Sequence, residues 1–177
     1  MVQDYRYASV EILFQFESKN LQLHSVRNHY FSDSSIPSRT KLRITVLTNH
    51  ITRLRGRLDH IIEHVSGRKI NRMGVRLRSI LRVAVFETLF DEAIPEYAAV
   101  NSAVDLTGNL LNRKAAGFTN AVLRKMLRLR LRRGNLRVAS RNRFLPLVVT
   151  IPGAKTVLTL HSCLTWATDM LARRIGN

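Results

Sequence analysis

The side chains able to do chemistry are few in this 177-residue chain, and their spacing argues against a catalytic centre. Of six histidines (His24, His29, His50, His60, His64 and His161), His60 and His64 stand four residues apart, the spacing that sets two imidazoles on one helix face for a metal. The third ligand is missing, because Glu63 falls about 100° around a helix from His64, so no metal site is expected. Cys163, the single cysteine, would need a base and an electropositive pocket to act as a nucleophile. His161 is too near in sequence to supply that base, and the thiol reads as structural. Asp91 and Glu92 are neighbouring acids at a helix end before Pro95, where solvated carboxylates are routine. No two glycines lie closer than seven residues, which excludes a P-loop, a dinucleotide fingerprint and the glycine-rich loop usual for S-adenosylmethionine. No catalytic residue is assigned, and no cofactor is expected in this chain.

Positive charge is what the chain has in quantity. There are 29 Lys and Arg against 12 Asp and Glu, a net charge of +17, and 23 of the cations are Arg, whose planar fork grips phosphate and stacks on bases. A polyanion, with nucleic acid as the default, is the expected partner. The charge is concentrated: from Arg124 to Arg143 there are nine cations and no acid, whereas residues 1–123 carry 17 basic and 11 acidic side chains. A solvated helix face or tail is the plain alternative for such a block. At 45% apolar residues the chain has the means to bury a core. One cysteine excludes an intrachain disulfide and points to a reducing compartment, hence a cytoplasmic location. The amino terminus lacks a secretory signal pattern and no stretch reaches the roughly 18 apolar residues of a membrane span, so no membrane partner is expected.

The elements that must position these cations are helical. Tyr5, Ala8, Ile12, Leu13 and Phe16 draw one stripe, and a short second helix is expected over Leu21–Tyr30. The turn and cap residues of Asp33–Ser38 should open the next helix. From Leu42 to Val65 the 3.6 period predicts one long helix, bent at Gly56 and stopped by Gly67 as a left-handed cap. A helix buried over much of its surface starts at Val75 and ends near Ile94, since a residue before proline leaves the helical region. Pro95 suits the first position of the following helix, and Asn112 can cap a last one through Ala115, Phe118, Val122 and Met126. Leu127–Arg132 alternates like a strand but is read as a fraying helical end. Leu147–Ile151 fits a short strand or a linker, and a terminal helix is expected from Ser162. The architecture expected is all-α, a helical bundle with a basic carboxy-terminal extension, divided at residues 1–128 and 129–177.

Two segments carry a resemblance. Ile94-Pro95-Glu96-Tyr97-Ala98-Ala99-Val100-Asn101-Ser102-Ala103-Val104-Asp105-Leu106, followed by Gly117-Phe118-Thr119-Asn120-Ala121-Val122-Leu123-Arg124, resembles the NusB family of helical RNA-binding domains. Leu77–Phe90 looks like that family's central helix and Arg6-Tyr7-Ala8 like its opening Arg-x-Ala; Ser102 departs from the family's usual Glu. The resemblance implies one of two branches, of which the methyltransferase one is favoured. Arg53-Leu54-Arg55-Gly56-Arg57-Leu58-Asp59, together with the weaker Ser162-Cys163-Leu164-Thr165-Trp166, is similar to the amino-terminal part of RsmB or Sun-type rRNA cytosine-5 methyltransferases. In that branch the partner is rRNA, and S-adenosylmethionine enters only if a catalytic domain follows. The alternative is a stand-alone transcription antitermination factor that binds a transcript leader with a small ribosomal protein and the transcription complex. A third, plainer alternative is a truncated product with a merely soluble basic end.

The site residues expected on this reading are cations for phosphate: Arg6, Arg124, Lys125, Arg128, Arg130, Arg132 and Arg133, with Arg113 and Lys114 at the start of the last helix, where backbone donors are unpaired. Phe118 would stack on a base and Asn120 would hydrogen-bond one. The alternatives stay open for both, with Phe118 in the core and Asn120 locking helices together.

Overall fold

The computed structural model describes residues 4–32 and 36–132, with side chains described through Leu129. Among these residues seven α-helices follow in order, α1 (Tyr5–Lys19), α2 (Leu23–Ser32), α3 (Ser38–Arg53), α4 (Arg55–Ser66), α5 (Val75–Phe90), α6 (Glu96–Leu110) and α7 (Arg113–Arg132), with a 3₁₀ turn at Ile70–Arg72. The described residues contain no strand, and none of their helices is long and apolar enough to cross a membrane. The segment at 147–151, the helix expected from Ser162, and Cys163 lie outside the described residues.

Helix α5 is the axis. Its residues Ser79–Thr88 are all buried, because α1, α4 and α6 pack around it. The main core joins Val10 and Leu13 of α1, Leu47 and Ile51 of α3, Leu58 and Ile62 of α4, Leu81 and Val85 of α5, Val100 of α6, and Val122, Leu123 and Met126 of α7. The next positions around α1, Ala8 and Ile12, turn to a second, smaller cluster with Val26, Ile36 and Ile44.

Two charges lie inside this apolar axis. Arg82 is 4% exposed and Glu87 1% exposed. A buried ion is tolerated only when its hydrogen-bonding capacity is filled. Asp59 of α4 accepts from Arg82 Nε at 2.6 Å and from Nη2 at 2.9 Å, and Glu17 of α1 accepts from Nη1 at 2.7 Å. Burial draws the Arg82 guanidinium's pKa down, but the two carboxylates outweigh it and leave it raised. Glu87 accepts from Tyr5 Oη and Arg6 Nε, both at 2.7 Å. Each charge on α5 therefore fixes the register of the helix that answers it.

Several boundaries differ from those the sequence suggests. The long helix over Leu42–Val65 is two helices, and the break is at Leu54 (φ −94°, ψ 8°), not at Gly56, which lies in the first turn of α4. The hydroxyls of Thr45, Thr48 and Thr52 bond back to the carbonyls of Lys41, Ile44 and Thr48 just upstream of the break, an arrangement that bends helices. Helix α5 ends at Phe90, short of Ile94, because Asp91 leaves helical geometry and its Oδ1 accepts from the Ala93 amide. Asp91 is also no routine solvated acid; its carboxylate pairs with Arg43 of α3. Pro95 stands one place before α6, with its carbonyl accepting from Ala98 and Ala99. Pro37 occupies the corresponding place at α3, with its carbonyl accepting from the Lys41 amide at 3.0 Å. Gly67 does close α4 in the left-handed region, at φ 71°. Leu127–Arg132 continues α7 as helix, with Leu127 and Leu129 half-buried at the two margins of the core face.

Glu87→Ala removes the acceptor that Arg6 and Tyr5 share and strands a partly buried guanidinium. It should cost about 3–5 kcal/mol in urea unfolding. Tyr5→Phe, which removes one hydrogen bond to the same carboxylate, should cost about 1.5–3 kcal/mol. Equal and negligible costs would show that the pairing does not hold α1 on α5.

Candidate nucleic-acid interface

Helix α7 is set by its amino-terminal cap and its buried face. Asn112 Oδ1 accepts from the Ala115 amide at 2.9 Å and its carbonyl accepts from Ala116, which starts the helix. Thr119, Val122, Leu123 and Met126 are buried. The Thr107 hydroxyl of α6 donates to that of Thr119 at 3.2 Å, a buried polar contact between the two helices.

The opposite face carries the cations. At about 100° per residue, Arg113, Lys114, Arg124, Lys125 and Arg128 fall within about one third of the helix circumference, and all five are exposed. Gly117 and Ala121, also exposed, lie between them, so the strip has charged margins and a low middle. The helix has no acid from Arg113 to Arg132. Arg113 and Lys114 stand at the positive end of the helix dipole with no acid in the first turn, where an outside anion is the favourable partner. Asn112 takes the Ala115 amide, which leaves those of Arg113 and Lys114 as first-turn donors.

The other expected site residues are placed differently. Arg6 lies on α1 against Glu87, with its Nε committed to that carboxylate and its side chain only 15% exposed, so its geometry is that of a core ion pair. Phe118 is half-buried against the main core, and the Arg68 guanidinium lies 5.0 Å from its ring centroid. Asn120 Oδ1 accepts from Arg124 Nε at 2.8 Å, which holds that arginine along the helix. The side chains of Arg130 and Arg132, and Arg133 altogether, lie outside what is described. His60 and His64 are both exposed on α4, and among the described residues no group of three His, Cys, Asp or Glu is placed to hold a metal ion.

Sequence reasoning missed Arg68. Its partner is 50 positions away, and the one local signal was an arginine directly after a helix-stopping glycine.

Comparison with known proteins bears on the helical bundle as a whole. A model of the NusB family matches residues 3–128. The transcription antitermination protein NusB of Ruminiclostridium cellulolyticum is 30% identical over 122 residues, which are 68% of this chain and 84% of that protein. A crystal structure of the antitermination factors NusB and NusE in complex with dsRNA superposes with a TM-score of 0.66 at 21% identity, covering 71% of this chain and 94% of that one. T. maritima NusB superposes with a TM-score of 0.65 at 21% identity, covering 72% and 93%. These two structures share the fold.

Phe118→Ala should lower stability by about 2–3 kcal/mol, somewhat less than the roughly 3–5 kcal/mol of a fully buried phenylalanine. A thermal melt superimposable on that of the parent would mean that the ring does not pack on the core.

Proposed function

The chain belongs to the NusB family, and from that premise we propose that it is an RNA-binding factor of the antitermination type, engaging a transcript leader together with a small ribosomal protein. The observation that carries the reading is the acid-free solvent face of α7, where Arg113, Lys114, Arg124, Lys125 and Arg128 are all exposed. Such a row binds phosphates and positions the RNA, without reading its sequence. Residues 1–128 are the RNA-binding domain in this reading, and 129–177 form a basic extension that adds Arg130, Arg132 and Arg133 to the same contact. The place of action is the cytoplasm, among nascent transcripts.

The antitermination branch is preferred because the relative that aligns over 84% of its own length is an antitermination protein, and a NusB structure of the same fold is held with NusE and dsRNA. A second reading, the RNA-binding part of an rRNA cytosine-5 methyltransferase, rests on the Arg53–Asp59 segment. Packing accounts for part of that segment: Leu58 is fully buried and Asp59 holds Arg82. What still favours rRNA is the exposed Arg53.

Titration of a leader RNA across a range of salt, with and without the ribosomal protein, tests both parts. Each phosphate neutralised on a single strand contributes roughly 0.7 to the slope of log affinity against log salt. Replacing Arg124, Lys125 and Arg128 together by Gln should therefore flatten the slope by about 2. An unchanged slope would remove α7 as the interface. Affinity that fails to rise with the ribosomal protein present would favour the methyltransferase reading over the antitermination one.

A further inference from the structure

The turn between α4 and α5 holds one arginine in a different way from every other arginine described. Arg68 is exposed, no carboxylate among the described residues pairs with it, and its guanidinium lies over the Phe118 ring at 5.0 Å. By contrast, Arg6, Arg43, Arg55, Arg76, Arg78 and Arg82 each meet an acid.

The backbone beneath Arg68 is braced. Gly67 closes α4 in the left-handed region and its amide bonds to the Glu63 carbonyl at 2.8 Å. Ser66 Oγ accepts from the Arg68 amide at 3.1 Å. The Glu63 carboxylate accepts from the Ile70 amide at 2.8 Å and from Lys69 Nζ at 3.3 Å, and the Ile70 amide is the main reason this carboxyl sits below its usual pKa. Ile70 and the buried Met73 then fix the far end of the turn on the core. Around α7, Phe118 is on the same side as Lys114, four residues before it, and Lys125, seven after it. Arg68 thus brings a planar cation, backed by an aromatic ring, to the margin of the α7 basic strip.

We propose that Arg68, seated on Phe118, is a stacking platform for an unpaired nucleobase of the RNA whose phosphates lie along α7. An arginine plane stacks on a base face as an aromatic ring does, which is how unpaired RNA is most often recognised. A lysine would keep the charge and lose the plane. The platform selects unpaired over paired RNA, because bases inside a duplex offer no free face. The inference rests on the RNA-binding reading above and makes it more specific.

The test compares the full chain with Arg68→Lys and Arg68→Gln by fluorescence anisotropy, using a short single-stranded oligoadenylate and the same strand annealed to its complement. Arg68 is exposed, so both variants should melt as the parent does. Arg68→Lys should bind the single strand about tenfold more weakly, the scale of one lost base stack, with an unchanged salt slope and unchanged duplex binding. Lysine binding as well as arginine, with only Gln losing about 0.7 of slope, would make Arg68 a phosphate contact and overturn the proposal. An equal loss on single strand and duplex would overturn it too. If the parent chain binds neither RNA, the RNA-binding reading itself falls; if it binds and Arg68→Lys is indifferent, only the platform falls.

Discussion

The structure depends on satisfying two charges in the middle of one buried helix. Arg82 and Glu87 sit within a ten-residue stretch of α5 that solvent does not reach. Leaving either unpaired would cost several kcal/mol, a large part of the stability of an ordinary domain. Their partners come from two other helices: Glu17, Tyr5 and Arg6 from α1, and Asp59 from α4. Apolar packing alone would let α1 slide by a turn against α5 at modest cost. Three polar contacts spread along α1, from Tyr5 to Glu17, forbid that slide.

The same pairing decides where the free charge ends up. Glu11, Glu17, Asp59, Glu87 and Asp91 each hold an arginine among α1, α3, α4 and α5. Those arginines are used up in the fold and contribute little to the outside field. Helix α7 meets its neighbours through the buried Thr119, Val122, Leu123 and Met126, and no acid among the described residues pairs with Arg113, Lys114, Arg124, Lys125 or Arg128. A protein with the same composition but its acids spread evenly would have the same net charge and no directional attraction for a polyanion.

Periodicity made the helices legible, since 3.6-residue spacing reports which face is buried. Caps that act locally were legible too, as at Asn112 and Gly67. What could not be read is who pairs with whom. Arg6 looked like a phosphate ligand because its acceptor is 81 residues away, and Asp91 looked solvated because Arg43 is 48 residues away. The break at Leu54 was hidden for another reason: the apolar period runs through it unchanged, and the backbone is bent by threonine hydroxyls that periodicity ignores. Of the candidate interface, the cations of α7 were legible as a charge block, whereas the placing of Arg68 beside them depends on its contact with Phe118 across the fold.

Helix α7 also carries a cost that an anion would remove. Arg113 and Lys114 oppose the helix dipole, and Arg124 and Arg128 repel each other at four residues' spacing. Each such term is worth only a few tenths of a kcal/mol at an exposed site. Neutral residues at these places would make a slightly more stable helix, so local helix stability does not explain the cations. A bound phosphate changes the sign: repulsion between neighbouring cations becomes shared attraction to one charge, and the first-turn amides gain an acceptor. Because the cations project away from the buried face of α7, this gain is available without any rearrangement of the core. The surface can therefore be strained for binding while the buried charges of α5 keep the fold fixed.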